Sequence, residues 1–296
     1  MTAVNGPTVV DGGQSANPEA PMTAPPRRSR AGRDLPAAIG VGALLGAIIL
    51  VTLFTVRAAF TVVVGAAVAI GTVEVIRALR LTGRRIPIVP LAVGAFVIPP
   101  VAFLGGLDGL LAAVLVTIAA AIVMRVLGPS GGLLRDLAGI VFVAAYVGFP
   151  AGFAALLTGA SQGSFRVLAF IGTVVASDIG GYAAGVLSGG RHKLAPSVSP
   201  GKSWEGFAGS VFACVTVAAV VVAWPLGAHA WQGMLLGLAT AATATVGDLG
   251  ESLLKRDIGI KDMGSLLPGH GGIMDRLDSL LCTAPVSWLL LTAFLH

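Results

Sequence analysis

Residues 247–279 read GDLGESLLKRDIGIKDMGSLLPGHGGIMDRLDS, a polar run within an otherwise apolar part of the chain. The first part of this run predicts a helix with one charged face, because four polar residues follow the i, i+3, i+4, i+7 spacing. These residues are Asp248, Glu251, Ser252 and Lys255. A second helix is expected to begin near Asp275, where the helix dipole favours an anion. Two acidic helix faces are therefore expected to meet.

The turn between these helices is rich in glycine and contains His270-Gly271-Gly272. Glycine lets several backbone N–H groups approach a phosphate closely. Carboxylates for a divalent ion, cations for phosphates and glycines for close approach are the components of phosphoryl- and nucleotidyl-transfer sites. The alternative is a solvated loop between two membrane spans, with charges that pair among themselves. His270 either donates to a phosphate or only shapes the turn, and the sequence leaves both open.

Composition predicts an integral membrane protein. Of the 296 residues 55% are hydrophobic and 11% are charged, and the mean hydropathy is +0.91, whereas soluble domains are about one quarter charged. Cys214 and Cys282 both lie in apolar runs, which argues against a disulfide framework or a zinc site. The net charge of +5 comes without a basic stripe interleaved with aromatic residues, so no nucleic-acid partner is expected.

The expected fold is an all-α polytopic membrane protein with about nine transmembrane helices. Residues 35–160 would supply about five N-terminal membrane helices. Residues 161–296 would supply about four catalytic ones, with active-site loops at 189–205 and 251–276. Apolar runs of spanning length lie near 35–56, 59–79, 86–106, 109–128, 137–159, 166–188, 206–226, 230–250 and 274–295.

Residues 1–34 are rich in small and polar residues, end in an arginine cluster and are expected to be a disordered basic tail. A signal peptide is the competing interpretation, but the following apolar run continues without a convincing cleavage site, so we expect a retained first span. With a cytoplasmic N-terminus, 17 Lys and Arg residues fall on the cytoplasmic side and two, Arg57 and Arg166, on the opposite side. This asymmetry satisfies the positive-inside rule, and it predicts a cytoplasmic site and a C-terminus on the far side.

A second polar constellation begins in the sixth apolar run, where Asp178 lies near mid-span. An acid at that depth should face the bundle interior and have a partner, and it is either functional or a structural Asp bonded to a neighbouring helix. The later triplet Gly201-Lys202-Ser203 is not a P-loop, because Pro196 stands where that motif needs glycine and no strand is expected before it. Ser199 and Ser203 either bind phosphate or cap the next helix. Trp204 is expected at the lipid interface rather than stacked on a base.

Both constellations resemble the signatures of the phosphatidate cytidylyltransferase (CDP-diacylglycerol synthase) family. The first matches at Ser252, Lys255-Arg256, Lys261-Asp262, His270-Gly271-Gly272 and Asp275-Arg276-Leu277-Asp278. The second matches at Ser177-Asp178, Gly180, Tyr182, Lys193-Leu194, Pro196, Ser199-Pro200, Lys202-Ser203 and Glu205-Gly206, and departs at Ile179 and Gly181. The resemblance covers roughly residues 166–283, whereas the first 160 residues resemble only a hydrophobic bundle.

The resemblance implies transfer of CMP from CTP to phosphatidic acid, which yields CDP-diacylglycerol and pyrophosphate in phospholipid biosynthesis. It implies CTP, phosphatidic acid and membrane lipid as partners, a homodimer, and a multi-pass location in the cell (cytoplasmic) membrane. The implied cofactor is Mg²⁺ or a similar divalent cation, with a monovalent cation such as K⁺ as a second one.

Site residues follow from the same resemblance. The catalytic candidates are Lys255, Asp248, Asp275, Asp278 and Asp178. Asp248 and Asp275 are the first choices as metal ligands, with Asp278, Asp178 and Glu251 as second choices. The candidates for binding the phosphates of CTP or phosphatidate are Lys202, Ser203, Lys193, Ser252, Arg256, Lys261, His270, Gly271, Gly272 and Arg276.

Three other functions remain as alternatives. A transporter or channel would spread its acids through several spans, but eight of the fourteen acids lie from Asp178 onward. A CDP-alcohol phosphatidyltransferase would carry an Asp-Gly-x-x-Ala-Arg motif, which is absent from the sequence. A membrane scaffold would not need this order of polar residues.

Overall fold

Helices account for most of the chain. A computed structural model describes residues 6, 35–264, 266 and 271–295, and its helices belong to one unit, Asp34–His296. The helices are α1 (Leu35–Thr55), α2 (Arg57–Leu81), α3 (Ile88–Val126), α4 (Leu133–Val143), α5 (Phe149–Gly159), α6 (Gly163–Leu187), α7 (Trp204–Ala223), α8 (Ala230–Ile258) and α9 (Met274–Phe294). A π-helical turn, Ala144–Gly148, joins α4 to α5. Apart from Gly6, the predicted disordered tail lies outside the described residues.

Within the described residues, six helical segments are long and apolar enough to cross a membrane: α2, α3, the continuous segment from α4 to α5, α6, α7 and α9. Within α1, the stretch Gly42–Thr55 is apolar but shorter than these six segments. These segments support a multi-pass membrane protein, while the number of nine spans and their orientation stay predictions. The expected boundary between the third and fourth spans lies inside α3, at Gly106, whose φ of 62° and ψ of −149° interrupt the helix.

The expectation of an all-α fold is wrong in one detail. The 189–205 loop contains a small antiparallel hairpin of β1 (Lys193–Ala195) and β2 (Ser199–Ser203). Pro196 and Pro200 disfavour a helix here, because proline in a helix interior lacks a donor and clashes with the preceding turn. Pairing of the two strands satisfies backbone groups that a helix would otherwise satisfy.

Small residues let α6, α7 and α8 pack closely, as is common among membrane helices. A Cβ on Gly180 of α6 would lie 2.6 Å from the carbonyl oxygen of Gly209 in α7. A Cβ on Gly237 of α8 would lie 2.6 Å from the carbonyl oxygen of Cys214 in α7. Cys214 and Cys282 are free thiols.

Two apolar clusters form the core. Phe60, Leu157 and Leu291 belong to the first cluster, which joins α2, α5 and α9. Ile76 of α2 and Met274 of α9 belong to the second. The second cluster therefore holds the beginning of α9 against the N-terminal half of the chain.

Candidate active site

Helices α8 and α9 approach each other closely at Gly247. A Cβ at Gly247 would lie 2.6 Å from the carbonyl oxygen of Asp278, so a larger residue would push α9 away. The neighbouring Asp248 accepts a hydrogen bond from the Ser279 hydroxyl. Asp278 is buried and accepts a hydrogen bond from the Ser279 N–H at 2.7 Å. The two acidic faces meet, as the sequence predicted.

Lys255 connects the two helices. Its Nζ donates to Oε2 of Glu251 at 2.9 Å and to Oδ1 of Asp275 at 2.8 Å. Burial lowers the pKa of Lys255, but its hydrogen bonds to Asp275 and Glu251 outweigh burial, so the pKa lies above its ordinary value. The ammonium group is therefore held in its charged form.

Asp275 lies in the first turn of α9, as predicted. Its Oδ2 accepts hydrogen bonds from the N–H groups of Gly272, at 2.8 Å, and Met263, at 3.2 Å. The Asp275 carboxylate thus binds backbone N–H groups on both sides of the glycine-rich turn. Within that turn Gly271 has a φ of +83°, which glycine adopts without strain. His270 lies outside the described residues.

Glu251 and Asp278 form a buried acidic pair. Glu251 is 1% exposed, and its Oε1 accepts no hydrogen bond from any described residue. Asp278 lies within hydrogen-bonding reach of Glu251. Burial raises the pKa of Glu251 above its ordinary value, outweighing the hydrogen bonds with Asp278 and Lys255. Two buried carboxyl groups this close repel each other when both are ionised, and such pairs are typical of functional sites.

The hairpin brings Lys202 to α8, where its Nζ forms an ion pair with Oδ2 of Asp248. Ser203 accepts a hydrogen bond from the N–H of Gly206 at 3.1 Å and caps α7, while phosphate binding by Ser203 stays a prediction. Trp204 is 57% exposed, which suits the expected position at a lipid interface.

A cavity of about 500 Å³ extends from α6 to the hairpin and α8. Its polar wall includes Asp178, Lys193, Lys202, Ser203 and Asp248, and its apolar wall includes Tyr182, Val186, Leu194 and Phe207. Lys202 pairs with Asp248 and also acts electrostatically on Asp178, so the partner expected for Asp178 stays a prediction. Asp178 is open to the cavity, and Arg276 of α9 is near enough to act on it electrostatically.

A second cavity, of about 520 Å³, lies between β2 and the end of α8. Its lining includes Ser199, Ser252, Lys255, Arg256 and Lys261, and none of its described lining residues is acidic. Strand β2 therefore borders both cavities: Lys202 lines the first cavity, and Ser199 lines the second.

The predicted cation site stays a prediction. Among the described residues, no three His, Cys, Asp or Glu side chains form a group that could hold a metal ion. The two first-choice ligands instead pair with lysines, Asp248 with Lys202 and Asp275 with Lys255.

Sequence patterns did not single out Glu74, which the structure places next to this site. Glu74 lies in α2 and accepts a hydrogen bond from the N–H of Met274 at 2.8 Å. The sequence did offer one signal for Glu74, since an acidic residue inside a membrane span is a functional candidate by default.

Lysines and carboxylates gathered beside two cavities, at the ends of apolar helices, are typical of a membrane enzyme that acts on phosphorylated substrates. Residues 37–294 match the family model described as "Cytidylyltransferase family". The chain belongs to this family. The match extends the resemblance found in the second half of the sequence to nearly the whole chain.

Several similar relatives are named phosphatidate cytidylyltransferase. One from Mycobacterium leprae (strain TN) is 43% identical over 279 residues, which cover 89% of each chain. One from Mycobacterium tuberculosis (strain ATCC 25618 / H37Rv) is 42% identical over 277 residues, 89% of this chain and 84% of the relative. One from Brucella melitensis biotype 1 is 40% identical over 145 residues, 49% of this chain and 53% of the relative. The expectation of a nucleotidyltransferase is confirmed, against the transporter, phosphatidyltransferase and scaffold alternatives.

Proposed function

We propose that the protein is a phosphatidate cytidylyltransferase, which transfers CMP from CTP to phosphatidic acid and releases pyrophosphate. The observation that carries this proposal is the identity of 43% to a protein of that name over 89% of the chain. The geometry supports it, because the polar site lies at the ends of apolar helices, where a water-soluble nucleotide and a lipid headgroup can meet.

The reaction brings two anions together. An oxygen of the phosphatidate phosphate attacks the α-phosphorus of CTP and forms a new P–O bond. The bond from the α-phosphorus to the oxygen bridging to the β-phosphorus breaks, and pyrophosphate leaves with that electron pair. A phosphate monoester is already ionised at neutral pH, so no strong general base is required. The residues of this chain must therefore orient the phosphates and neutralise their charge.

The two cavities suit the two substrates. We assign the triphosphate of CTP to the cavity lined by Lys255, Arg256 and Lys261, because its described lining is cationic and lacks acids. Phosphatidate suits the other cavity, since Lys193 and Lys202 can bind its phosphate while the apolar wall accepts the lipid. The reacting phosphates would then meet beside β2, which borders both cavities.

We propose that a divalent cation such as Mg²⁺ binds at this site, where Asp248 and Asp275 would exchange their lysine partners for the ion. Carboxylates are the ligands that Mg²⁺ prefers, and Oε1 of Glu251 is buried without a donor among the described residues. Asp248 and Asp275 would hold the ion, with Asp278, Glu251 and Asp178 as further ligands or as ligands of a monovalent ion such as K⁺. When bound, the ion supplies charge neutralisation of the phosphates that two lysines alone do not provide.

We also propose nine transmembrane spans, with the N-terminus and the site in the cytoplasm. Nine spans with a cytoplasmic N-terminus would place 17 of the 19 Lys and Arg residues on the cytoplasmic side, together with the site. CTP is made in the cytoplasm, so the cell membrane is the location that suits the reaction. A homodimer follows from the family resemblance.

Pyrophosphate release by the detergent-purified protein tests the proposed function. Release should require both CTP and phosphatidic acid, stop when EDTA is added, and resume with excess Mg²⁺. Asp248→Asn and Asp275→Asn should each lower the rate by at least about 100-fold. Asp108→Asn, at an exposed acid next to the Gly106 bend, is the matched control and should leave the rate unchanged. A folded wild-type protein that releases no pyrophosphate with phosphatidic acid would refute the proposed reaction.

A further inference from the structure

An acid from the N-terminal half of the chain reaches the beginning of α9. Glu74 is 6% exposed, and its Oε2 accepts a hydrogen bond from the N–H of Met274 at 2.8 Å. The two residues are 200 positions apart in the sequence. Met274 is itself fully buried, in the same apolar cluster as Ile76 of α2. The contact therefore fixes where α9 begins relative to α2.

Two glycines pack directly on the same carboxylate. A Cβ at Gly264 would lie 2.2 Å from Oε1 of Glu74, and a Cβ at Gly272 would lie 2.5 Å from Oε2. Neither position accepts a larger residue while Glu74 keeps its place. Gly264 precedes the glycine-rich turn and Gly272 ends it, so Glu74 contacts backbone on both sides of the turn.

Asp275, the residue after Met274, connects the Glu74 contacts to the candidate active site. Asp275 accepts hydrogen bonds from the N–H groups of Met263 and Gly272 and pairs with Lys255. Glu74 and Asp275 thus hold the same short backbone segments, 263–264 and 272–274. Glu74 lines neither of the two cavities that flank the site.

We propose that Glu74 is a positioning residue, which holds the glycine-rich turn and the first turn of α9 so that Asp275 and Lys255 face the substrates. A carboxylate near a helix N-terminus is favoured by the helix dipole. Its removal would leave the buried Met274 N–H without its acceptor and open a gap beside Gly264 and Gly272. The inference rests on the proposed function for its catalytic consequence, and it gives α2 a direct part in building the site.

Steady-state kinetics of Glu74→Ala and Glu74→Gln test this role. Glu74→Ala should lower kcat by about 100-fold and change KM for CTP by less than about threefold, because phosphate-binding cations remain while their alignment is lost. Glu74→Gln keeps a carbonyl acceptor for Met274 and should retain at least about a tenth of the activity. Thr72→Val is the matched control, since Thr72 is buried on the same helix and its hydroxyl has no partner among the described residues.

Hydrogen exchange separates the positioning role from the reaction itself. In Glu74→Ala, amides of residues 260–264 and 271–276 should exchange at least about tenfold faster, while amides of α7 keep their wild-type rates. If the wild type releases no pyrophosphate, the proposed function fails but this measurement still tests the contact. The positioning role would be overturned if the Glu74→Ala protein had wild-type exchange rates in these segments, or if it had the wild-type kcat.

A double-mutant cycle tests whether Gly264 acts through Glu74. The three atoms nearest to a Cβ at Gly264 all belong to the Glu74 side chain. Gly264→Ala alone should lower kcat by about tenfold, but in the Glu74→Ala background it should lower kcat by less than about twofold, because the obstructing carboxylate is gone. Equal losses in both backgrounds would show that the two residues are independent and would contradict the proposed packing.

Discussion

Two buried charge clusters in this molecule differ in how completely their charges are balanced. In the first, Nε of Arg125 donates to Oδ2 of Asp136 at 2.7 Å, and its Nη atoms donate to the carbonyl oxygens of Pro129 and Gly131. Asp136 is 0% exposed and also accepts a hydrogen bond from the backbone N–H of Arg85. This cluster joins the end of α3 to the beginning of α4, and its central charges cancel.

The second cluster, around α8 and α9, has more acids than paired lysines among the described residues. Asp248, Glu251, Asp275 and Asp278 lie around Lys202 and Lys255, and one buried oxygen of Glu251 lacks a donor among the described residues. An imbalance of this kind destabilises the folded protein and is found where function requires it. If the proposed function holds, the first cluster serves stability and the second serves chemistry.

Replacing Lys255 with methionine should have the largest effect on activity. The variant keeps most of the length of the side chain but removes the ammonium that joins Glu251 to Asp275 and borders the cationic cavity. We expect kcat to fall by about 1000-fold, since positioned charges at such sites contribute about that much. Pyrophosphate release measures the loss, with Arg77→Met, at an exposed position on α2, as the control. A kcat within tenfold of wild type would remove Lys255 from the catalytic machinery.

The contrast between the clusters was only partly predictable from the sequence. Helix periodicity placed Glu251 and Lys255 on one face, and the acid near the start of α9 was correctly read as Asp275, because both signals are local. The Glu74 contact to Met274 crosses 200 positions and leaves no local pattern. Likewise, Lys202 pairs with Asp248 rather than with Asp178 because of how the hairpin packs on α8. Spacing along the chain does not encode this packing.

Asp136→Asn should show the next largest effect, on stability rather than on activity. It leaves Arg125 buried without its opposite charge, and breaking such a pair typically costs about 3 kcal/mol. The thermal midpoint in detergent should fall clearly, while the activity of the protein that remains folded should match wild type. Loss of activity at a temperature where the variant is fully folded would contradict the division between the two clusters.

Asp278→Asn is the matched test in the second cluster, and the opposite outcome is expected. The variant keeps a carbonyl oxygen for the Ser279 N–H but replaces a buried carboxyl group beside Glu251 and Asp248 with a neutral amide. Because the amide cannot ionise next to these acids, stability should rise by up to about 1 kcal/mol, and activity should fall at least about tenfold. A destabilised Asp278→Asn protein would show that the acidic cluster is balanced by contacts like those of Asp136.

Ser203 provides the smallest and most specific test, because it borders the cavity assigned to phosphatidate and also caps α7. Ser203→Ala removes the acceptor for the Gly206 N–H and should cost about 1 kcal/mol. Ser203→Thr keeps a hydroxyl and should recover most of this stability. If Ser203 only caps the helix, both variants will have KM values for phosphatidic acid within about threefold of wild type, since no substrate contact is lost. A large rise in KM in Ser203→Ala that Ser203→Thr reverses would instead assign the hydroxyl to the lipid phosphate, and would extend the functional cluster from α8 and α9 to the hairpin.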